Sequence, residues 1–229
     1  IMGIPSYFIH IVKNHRSILK LYGNNSTSKE AQKAQIKIDN LYLDSNSIIY
    51  DAIAHIEYLN NKDFEDKILL AICAKLESYI NIIRPSNKIF IAFDGVAPVA
   101  KLSQQKNRRY KSWFTEEIMK DINRKAGINS AVKKWNTASI TPGTSFMEKL
   151  DEKIKAYFNN TDAISKYNCK EIIVSTSKAV GEGEHKIFKY IRDNTKYHSA
   201  TSTAIYGLDS DLIMLTLNHL KFSPQLYLF

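Results

Sequence analysis

Apolar residues recur along the chain in two rhythms, and their alternation predicts an α/β fold. Four short runs, NLYLDS (40–45), KIFIAF (88–93), EIIVST (171–176) and TAIYG (203–207), have the length and composition of buried strands. Between them the spacing turns helical. Ile48, Ile49, Ala52, Ile53 and Ile56 mark one amphipathic helix, and Ile68, Leu69, Ile72, Leu76, Ile80 and Ile83 a second that ends before Pro85. Phe8, Ile11, Val12, Ile18 and Leu19 predict a helix over 5–21 with Pro5 near its start, and a long basic segment from 99 to 126 reads as another. TPGTS (141–145) is a turn into helix 146–158, whose stripe is Phe146, Leu150, Ile154 and Tyr157. The polar stretch YGNNSTSKEAQK (22–33) reads as a loop. Strands this apolar, alternating with helices, predict a mostly parallel central sheet with helices on both faces, in a single domain over 1–229.

Charge narrows the partners. Lysine and arginine total 32 against 23 acids, a formal net charge of +9, which favours a polyanion such as a nucleic acid. No apolar run reaches the roughly 20 residues that span a bilayer, so no membrane partner is expected. The opening stretch is broken by His10, Lys13, Asn14 and His15 and does not read as a signal peptide. Cys73 and Cys169 sit among apolar neighbours and read as reduced thiols of an intracellular protein, cytoplasmic, with the nucleus as the alternative. The six histidines show no metal-ligand spacing, and no GxSxG nucleophile turn is present. His185 reads as a local hydrogen-bonding group or an outer-shell partner of a site.

Each strand is followed by acids: Asp44 after the first, Asp94 after the second, Glu182 and Glu184 after the third, Asp209 and Asp211 after the fourth. The carboxyl ends of parallel strands share one edge of the sheet, where ligands bind. Six carboxylates therefore converge on one cleft, and ionised together they repel. A hard divalent cation with oxygen ligands, Mg²⁺ or Mn²⁺, neutralises such a group. Two such ions about 4 Å apart support in-line cleavage of a phosphodiester. In VGEGEHK (180–186) and LDSDL (208–212) the acids stand two residues apart, a spacing that places both side chains on one side of an extended or turn backbone. Glycines around the first pair allow the close approach.

The segment VAPVAKLSQQKNRRYKSW (96–113) leaves the Asp94 strand end directly. On a helix, Lys101, Gln105, Arg108 and Arg109 fall at i, i+4, i+7 and i+8, within a sector roughly 100° wide. That face suits a phosphate, with arginine able to grip oxygens bidentately. Tyr110 and Trp113 add rings able to stack on bases, with core packing the expected place for Trp113.

These blocks together resemble the XRN 5′-to-3′ exoribonucleases, relatives of the flap endonucleases with a PIN-like core. The resemblance runs through MGIPSYF, NLYLDSNSI, FIAFDGVAPVAK with QQKNRR, SITPGTSFM, VGEGEHKI and IYGLDSDLIML, in that order. It implies stepwise removal of mononucleotides from RNA bearing a 5′-monophosphate, with Mg²⁺ or Mn²⁺. It also implies that Asp44, Asp94, Glu182, Glu184, Asp209 and Asp211 bind the metals, and that Lys101, Gln105, Arg108 and Arg109 form the pocket for the terminal phosphate. Where the family usually has a histidine that stacks on the terminal base, this chain has Tyr50, whose ring can take the same role. Ser210 replaces the usual alanine and Val180 the usual proline. The family's catalytic region is longer and adds a further aspartate and an aromatic wall, so a missing C-terminal segment or a second polypeptide is expected to complete the site. Two other readings stand beside this one: a structure-specific 5′ flap nuclease acting on DNA, and a non-catalytic module that binds RNA 5′ ends.

Overall fold

The computed structural model describes residues 6–20, 22, 36–57, 61–127, 135–207 and 210–229, with the side chains of residues 61, 62, 104, 108 and 112 outside that description. The loop expected over 22–33 falls almost entirely outside it. Five strands form one sheet: β1 (Asn40–Asp44), β2 (Lys88–Ala92), β3 (Glu171–Ser175), β4 (Thr203–Tyr206) and β5 (Leu226–Leu228). Their order is β3-β2-β1-β4-β5, and every pairing is parallel. Asp44, Ala92 and Ser175 lie at one level across β1, β2 and β3, so the acids that follow these strands leave the same edge. The chain runs outward from β1 through β2 to β3 and then returns to the other side of β1. The switch point, where parallel sheets open a crevice, therefore lies between β1 and β4.

Alternation along the strands assigns the two faces. Leu41, Leu43, Ile89 and Ile91 point to one side and meet α2 (Asn46–Ala54), α3 (Asn61–Ile83), α5 (Ser145–Phe158) and α6 (Thr161–Tyr167) in the larger core, with Ile68, Ile72, Leu76, Phe146, Leu150 and Phe158 buried in it. Tyr42, Phe90, Ala92 and Ile205 point to the other side. There they meet α7 (Gly183–Asp193) through Ile187, Phe188 and Ile191, and α9 (Asp211–His219) through Leu212. Burial of each of these large α7 side chains contributes roughly 1.5–3 kcal/mol, which fixes the helix whose N-terminus carries Glu182 and Glu184. The short α8 (Thr195–His198) leads into β4. Helices on both faces of a parallel sheet are the architecture the strand pattern predicts.

Two expectations are corrected. The first helix is shorter than 5–21: α1 covers Tyr7–Asn14, and after His15 the chain makes only a single 3₁₀ turn, Arg16–Ile18. Its apolar residues do not enter the core. Phe8, Ile11, Ile18 and Leu19 line an apolar cavity of about 490 Å³ shared with α9 and β5. The second correction concerns α4 (Val99–Lys125), a 27-residue helix and so about 40 Å long. Trp113 on it is 55% exposed, with Phe114 and Ile118 also open to solvent, because no described side chain of α4 at that level is buried. Trp135 fills the core place that a tryptophan takes here, against Phe64 and Phe146. Cys73 and Cys169 are buried free thiols, and burial pushes the Cys73 thiol up to about 11. Among the described residues no helix is long and apolar enough to cross a membrane.

Candidate metal and phosphate site

The site is assembled by chain crossings at the end of the sheet. As β1 ends at Asp44, the Ser45 N–H donates to the Ala92 carbonyl at 2.9 Å, and the Phe93 N–H donates to the Ser175 carbonyl at 2.9 Å. The three strand ends thus stay in register one residue past the sheet. Asp94 follows, and its carboxylate is held from two directions. Oδ2 accepts from Asn46 Nδ2 at 2.7 Å, and Oδ1 accepts from the Gly183 N–H at 2.7 Å. Asn46 Oδ1 in turn accepts from the Asp94 N–H at 3.2 Å, so asparagine and aspartate grip each other. Burial is the main influence on the Asp94 carboxyl and holds it above the usual range; the Gly183 hydrogen bond opposes this, and the Glu182 charge adds to it.

The glutamates flank a helix start: Glu182 keeps the extended backbone expected from the spacing, while Glu184 is already helical. Gly181 takes φ +101°, a left-handed conformation that favours glycine, and its N–H and carbonyl bond to Val96 and Gly95. Glu182 is the N-cap of α7, with φ −77° and ψ 154°, and Glu184 lies in the first turn. Both carboxylates therefore stand at the positive end of the helix, where backbone N–H groups favour negative charge. Gly183 between them faces β1, and a Cβ there would sit 2.4 Å from Asp44 Oδ1 and 3.3 Å from the Ala92 carbonyl oxygen.

Glu182, Glu184 and His185 each offer a ligand atom within 4.8 Å of the others. His185 Nε2 is 3.7 Å from both Glu182 Oε2 and Glu184 Oε1. The two carboxylates supply the oxygen donors that hard divalent cations take, and the imidazole adds a nitrogen, so this acidic cluster fits a divalent cation.

Two lysines partly neutralise the acids. Lys186 donates to the Phe93 carbonyl at 2.7 Å and to the Thr176 carbonyl at 2.9 Å, joining the ends of β2 and β3 beneath the site. Burial pulls its ammonium pKa down, opposed by the charges of Asp94 and Asp151. Asp151, itself buried, accepts from the Ser177 N–H at 3.0 Å and its hydroxyl at 2.8 Å, which fixes the loop after β3. Lys101, in the first turn of α4, donates to Glu182 Oε2. Burial works against its charge, but the bond to Glu182 and the charges of Glu182, Glu184 and Asp94 outweigh it and hold the ammonium pKa above its usual value.

The placement of the other expected residues follows. Asp211 is the first residue of α9, just beyond β4, and β4 lies beside β1. Gly207, next after β4, comes so near β1 that a Cβ there would stand 3.6 Å from Asp44 Cβ. Asp209 and the Arg108 side chain lie outside the described residues. Gln105 is half-buried one turn beyond Lys101, and the exposed Arg109 bonds through Nε to the Gln105 carbonyl at 3.4 Å. The basic face is thus split: Lys101 reaches into the acids while Arg109 stays with its own helix. Tyr50 is 52% exposed on α2, the helix that follows Asp44. Sequence reasoning did not anticipate Asn46 as the clamp of Asp94, Lys186 as the strand-end tie, or His185 as a member of the ligand group. The position of Asn46, two residues after a strand-end aspartate, and the adjacency of His185 to Glu184 were the available signals.

Fold and site together define a parallel α/β protein with an acidic sheet edge able to hold a metal ion, and a basic helix rooted in that edge. Comparison with known proteins narrows the class. The family model described as XRN 5′-3′ exonuclease N-terminus matches residues 2–227, and the chain belongs to that family. It is similar to 5′-3′ exoribonuclease 2 of Eremothecium gossypii, 34% identical over 94% of this chain and 26% of that protein. It is also similar to 5′-3′ exoribonuclease 2 of Schizosaccharomyces pombe, 35% identical over 94% of this chain and 24% of that protein. With 5′-3′ exoribonuclease 1 of Saccharomyces cerevisiae it shares 33% identity over 95% of this chain and 14% of that protein. The chain spans about a quarter or less of the length of these curated relatives.

Proposed function

We propose that this chain is the nuclease domain, over residues 1–229, of a divalent-cation-dependent 5′-to-3′ exoribonuclease that releases mononucleotides from 5′-monophosphorylated RNA. The observation that carries this reading is the meeting of a basic helix and an acidic edge at one point: Lys101 of the helix is bonded to Glu182 of the edge. Membership of the XRN family and the names of the relatives support the reaction class.

In this reading Asp44, Asp94, Glu182, Glu184, Asp209 and Asp211 hold Mg²⁺ or Mn²⁺. When bound, such ions supply a water of lowered pKa and stabilise charge on the phosphate under attack. The chain's own groups do the positioning. The Gly183 N–H and Asn46 fix the Asp94 carboxylate, the N-terminus of α7 presents both glutamates, and Lys186 keeps the β2 and β3 ends together. Lys101, Gln105, Arg108 and Arg109 receive the terminal phosphate, which selects 5′-monophosphate over hydroxyl or capped ends. Tyr50 offers its ring to the terminal base. The proposal includes a completing segment, from a longer chain or a second polypeptide, and action in the cytoplasm or nucleus.

The test is degradation of end-labelled RNA carrying a 5′-monophosphate or a 5′-hydroxyl, with Mg²⁺ and with EDTA, alongside a DNA oligonucleotide of the same sequence. Mononucleotides released from the 5′ end of monophosphorylated RNA, only with Mg²⁺, are the expected result. Internal cleavage, activity in EDTA, or equal use of the DNA would overturn the assignment.

A further inference from the structure

The two lysines at the acidic edge are held in different ways, and the difference has a functional consequence. Lys186 is fixed: its ammonium bridges two backbone carbonyls, Phe93 and Thr176, which remain in place whatever binds above them. Among the described residues Lys101 is held by one salt bridge, to Glu182 Oε2, at the end of a flexible four-carbon stem, with 28% of its side chain exposed. Glu182 is also one of the three residues whose ligand atoms cluster within 4.8 Å. Its carboxylate is therefore open to two kinds of cation, an internal ammonium and an external metal ion.

We propose, on the reading given under Proposed function, that Lys101 exchanges between Glu182 and the 5′-phosphate of the substrate, so that cation binding and phosphate binding favour each other through this one side chain. A divalent cation on Glu182 and Glu184 takes the carboxylate that Lys101 uses and repels the ammonium beside it. Released, Lys101 lies on the same helix face as Gln105 and Arg109, one and two turns further along, where a phosphate supplies the negative charge it has lost. In the other direction, a phosphate that draws Lys101 away leaves Glu182 open to the metal. Because linkage is reciprocal, each ligand tightens the other by the same factor, and a coupling of about 10-fold is typical of such a link. Lys101 is then a specificity-determining residue for the 5′ end as well as a gate on metal loading.

The experiment measures Mn²⁺ binding to the full chain from the electron paramagnetic resonance of free Mn²⁺. It is run alone, with a phosphorothioate-linked RNA oligonucleotide bearing a 5′-monophosphate, and with its 5′-hydroxyl counterpart; binding of both oligonucleotides is followed by fluorescence anisotropy. For the wild type, the monophosphate oligonucleotide should tighten Mn²⁺ about 10-fold more than the hydroxyl one. In Lys101→Met, Mn²⁺ alone should bind at least as tightly as to wild type, and the extra effect of the 5′-phosphate should shrink to twofold or less. Lys101→Gln, a second neutral replacement, should behave the same way, and circular dichroism confirms that both variants are folded. Wild-type coupling retained in both variants, or weaker Mn²⁺ binding by both without oligonucleotide, would overturn the exchange. If wild type prefers the 5′-monophosphate yet shows no coupling to Mn²⁺, the exchange fails while the phosphate pocket stands. If wild type binds both oligonucleotides equally, the pocket itself fails and the exchange with it.

Discussion

Gly183 at the start of α7 and Asp44 at the end of β1 stand so close that a Cβ on the glycine would lie 2.4 Å from Asp44 Oδ1. That contact packs the helix that carries Glu182 and Glu184 against the strand that ends in Asp44. A methyl group at position 183 must push either the carboxylate or the helix start away, and the Ala92 carbonyl 3.3 Å from the same point leaves little room on the other side. Gly183→Ala should cost about 1–3 kcal/mol of stability by overpacking. It should lower turnover of 5′-monophosphorylated RNA by about 100-fold, the scale of a small misplacement of reacting groups. Urea denaturation and single-turnover rates check both, and a variant with wild-type rate would show that the Asp44–α7 contact does not position the site.

Asn46 is the second fixing point. Its amide donates to Asp94 Oδ2 and accepts from the Asp94 N–H, so Asn46→Ala strips a half-buried carboxylate of one donor and a backbone amide of its acceptor. The expected loss is about 1–3 kcal/mol for the unsatisfied groups. Asn46→Asp keeps the size but sets a second negative charge against Asp94, and should weaken stability most at low ionic strength in the absence of added Mg²⁺. Added Mg²⁺ should recover part of that loss. Thermal denaturation with and without Mg²⁺ separates the two variants, and identical responses would remove Asn46 from the cation site.

Much of this was legible in the sequence, and the rest was hidden for physical reasons. The parallel sheet could be read because strands such as KIFIAF are apolar on both faces, and Ile89 and Phe90 do enter opposite cores. Asp44, Asp94, Glu182 and Glu184 could be expected together because the strand ends they follow share an edge. The backbone at Glu184 was misjudged because two glycines obscure a helix start: α7 is held by burial of Ile187, Phe188 and Ile191 against the sheet, and that tertiary support outweighs the glycine cost. Trp113 was expected in the core because helical spacing reports only an apolar stripe, not whether anything packs against it; Trp113, Phe114 and Ile118 all stay exposed. The roles of Lys101 and Lys186 were beyond periodicity, since both depend on groups more than eighty and ninety residues away in the chain.

Lys186 and Lys101 should separate cleanly in stability measurements. Lys186→Met leaves the Phe93 and Thr176 carbonyls without their donor at the ends of β2 and β3, at about 1–3 kcal/mol for each carbonyl left buried. Lys101→Met removes one partly exposed salt bridge and should change stability by about 1 kcal/mol or less. Denaturant midpoints of the two variants provide the comparison, and equal losses would contradict the fixed and exchangeable assignments.

Stability should fall on mild acidification because two histidines are held neutral away from the site. His198 is fully buried; its Nδ1 donates to the Asn194 carbonyl at 2.9 Å, which leaves Nε2 to accept from the Tyr42 hydroxyl at 2.8 Å. His219 repeats the arrangement, with Nδ1 donating to the Leu215 carbonyl at 2.6 Å and Nε2 accepting from Arg192 Nη1 at 2.7 Å. A second proton on either ring would turn the accepting nitrogen into a donor facing another donor. Burial is the main cause that lowers both pKa values, with Lys88 adding to it at His198 and Arg192 and Lys221 at His219, against a backbone hydrogen bond in each case. A histidine whose folded pKa is depressed contributes stability that is fully present above its unfolded value, about 6.5, and is lost as pH falls below it. Each ring can contribute a slope of up to about 1.4 kcal/mol per pH unit in that window. Asp94 acts in the opposite sense, since its raised carboxyl favours the fold at low pH and loses that contribution as pH rises. The readout is therefore the difference between wild type and the His198→Gln and His219→Gln variants in urea midpoints from pH 8 to pH 5. Each variant should start less stable at pH 8 and lose less on acidification than wild type, and parallel curves for all three proteins would rule out the buried histidines as the source of the acid sensitivity.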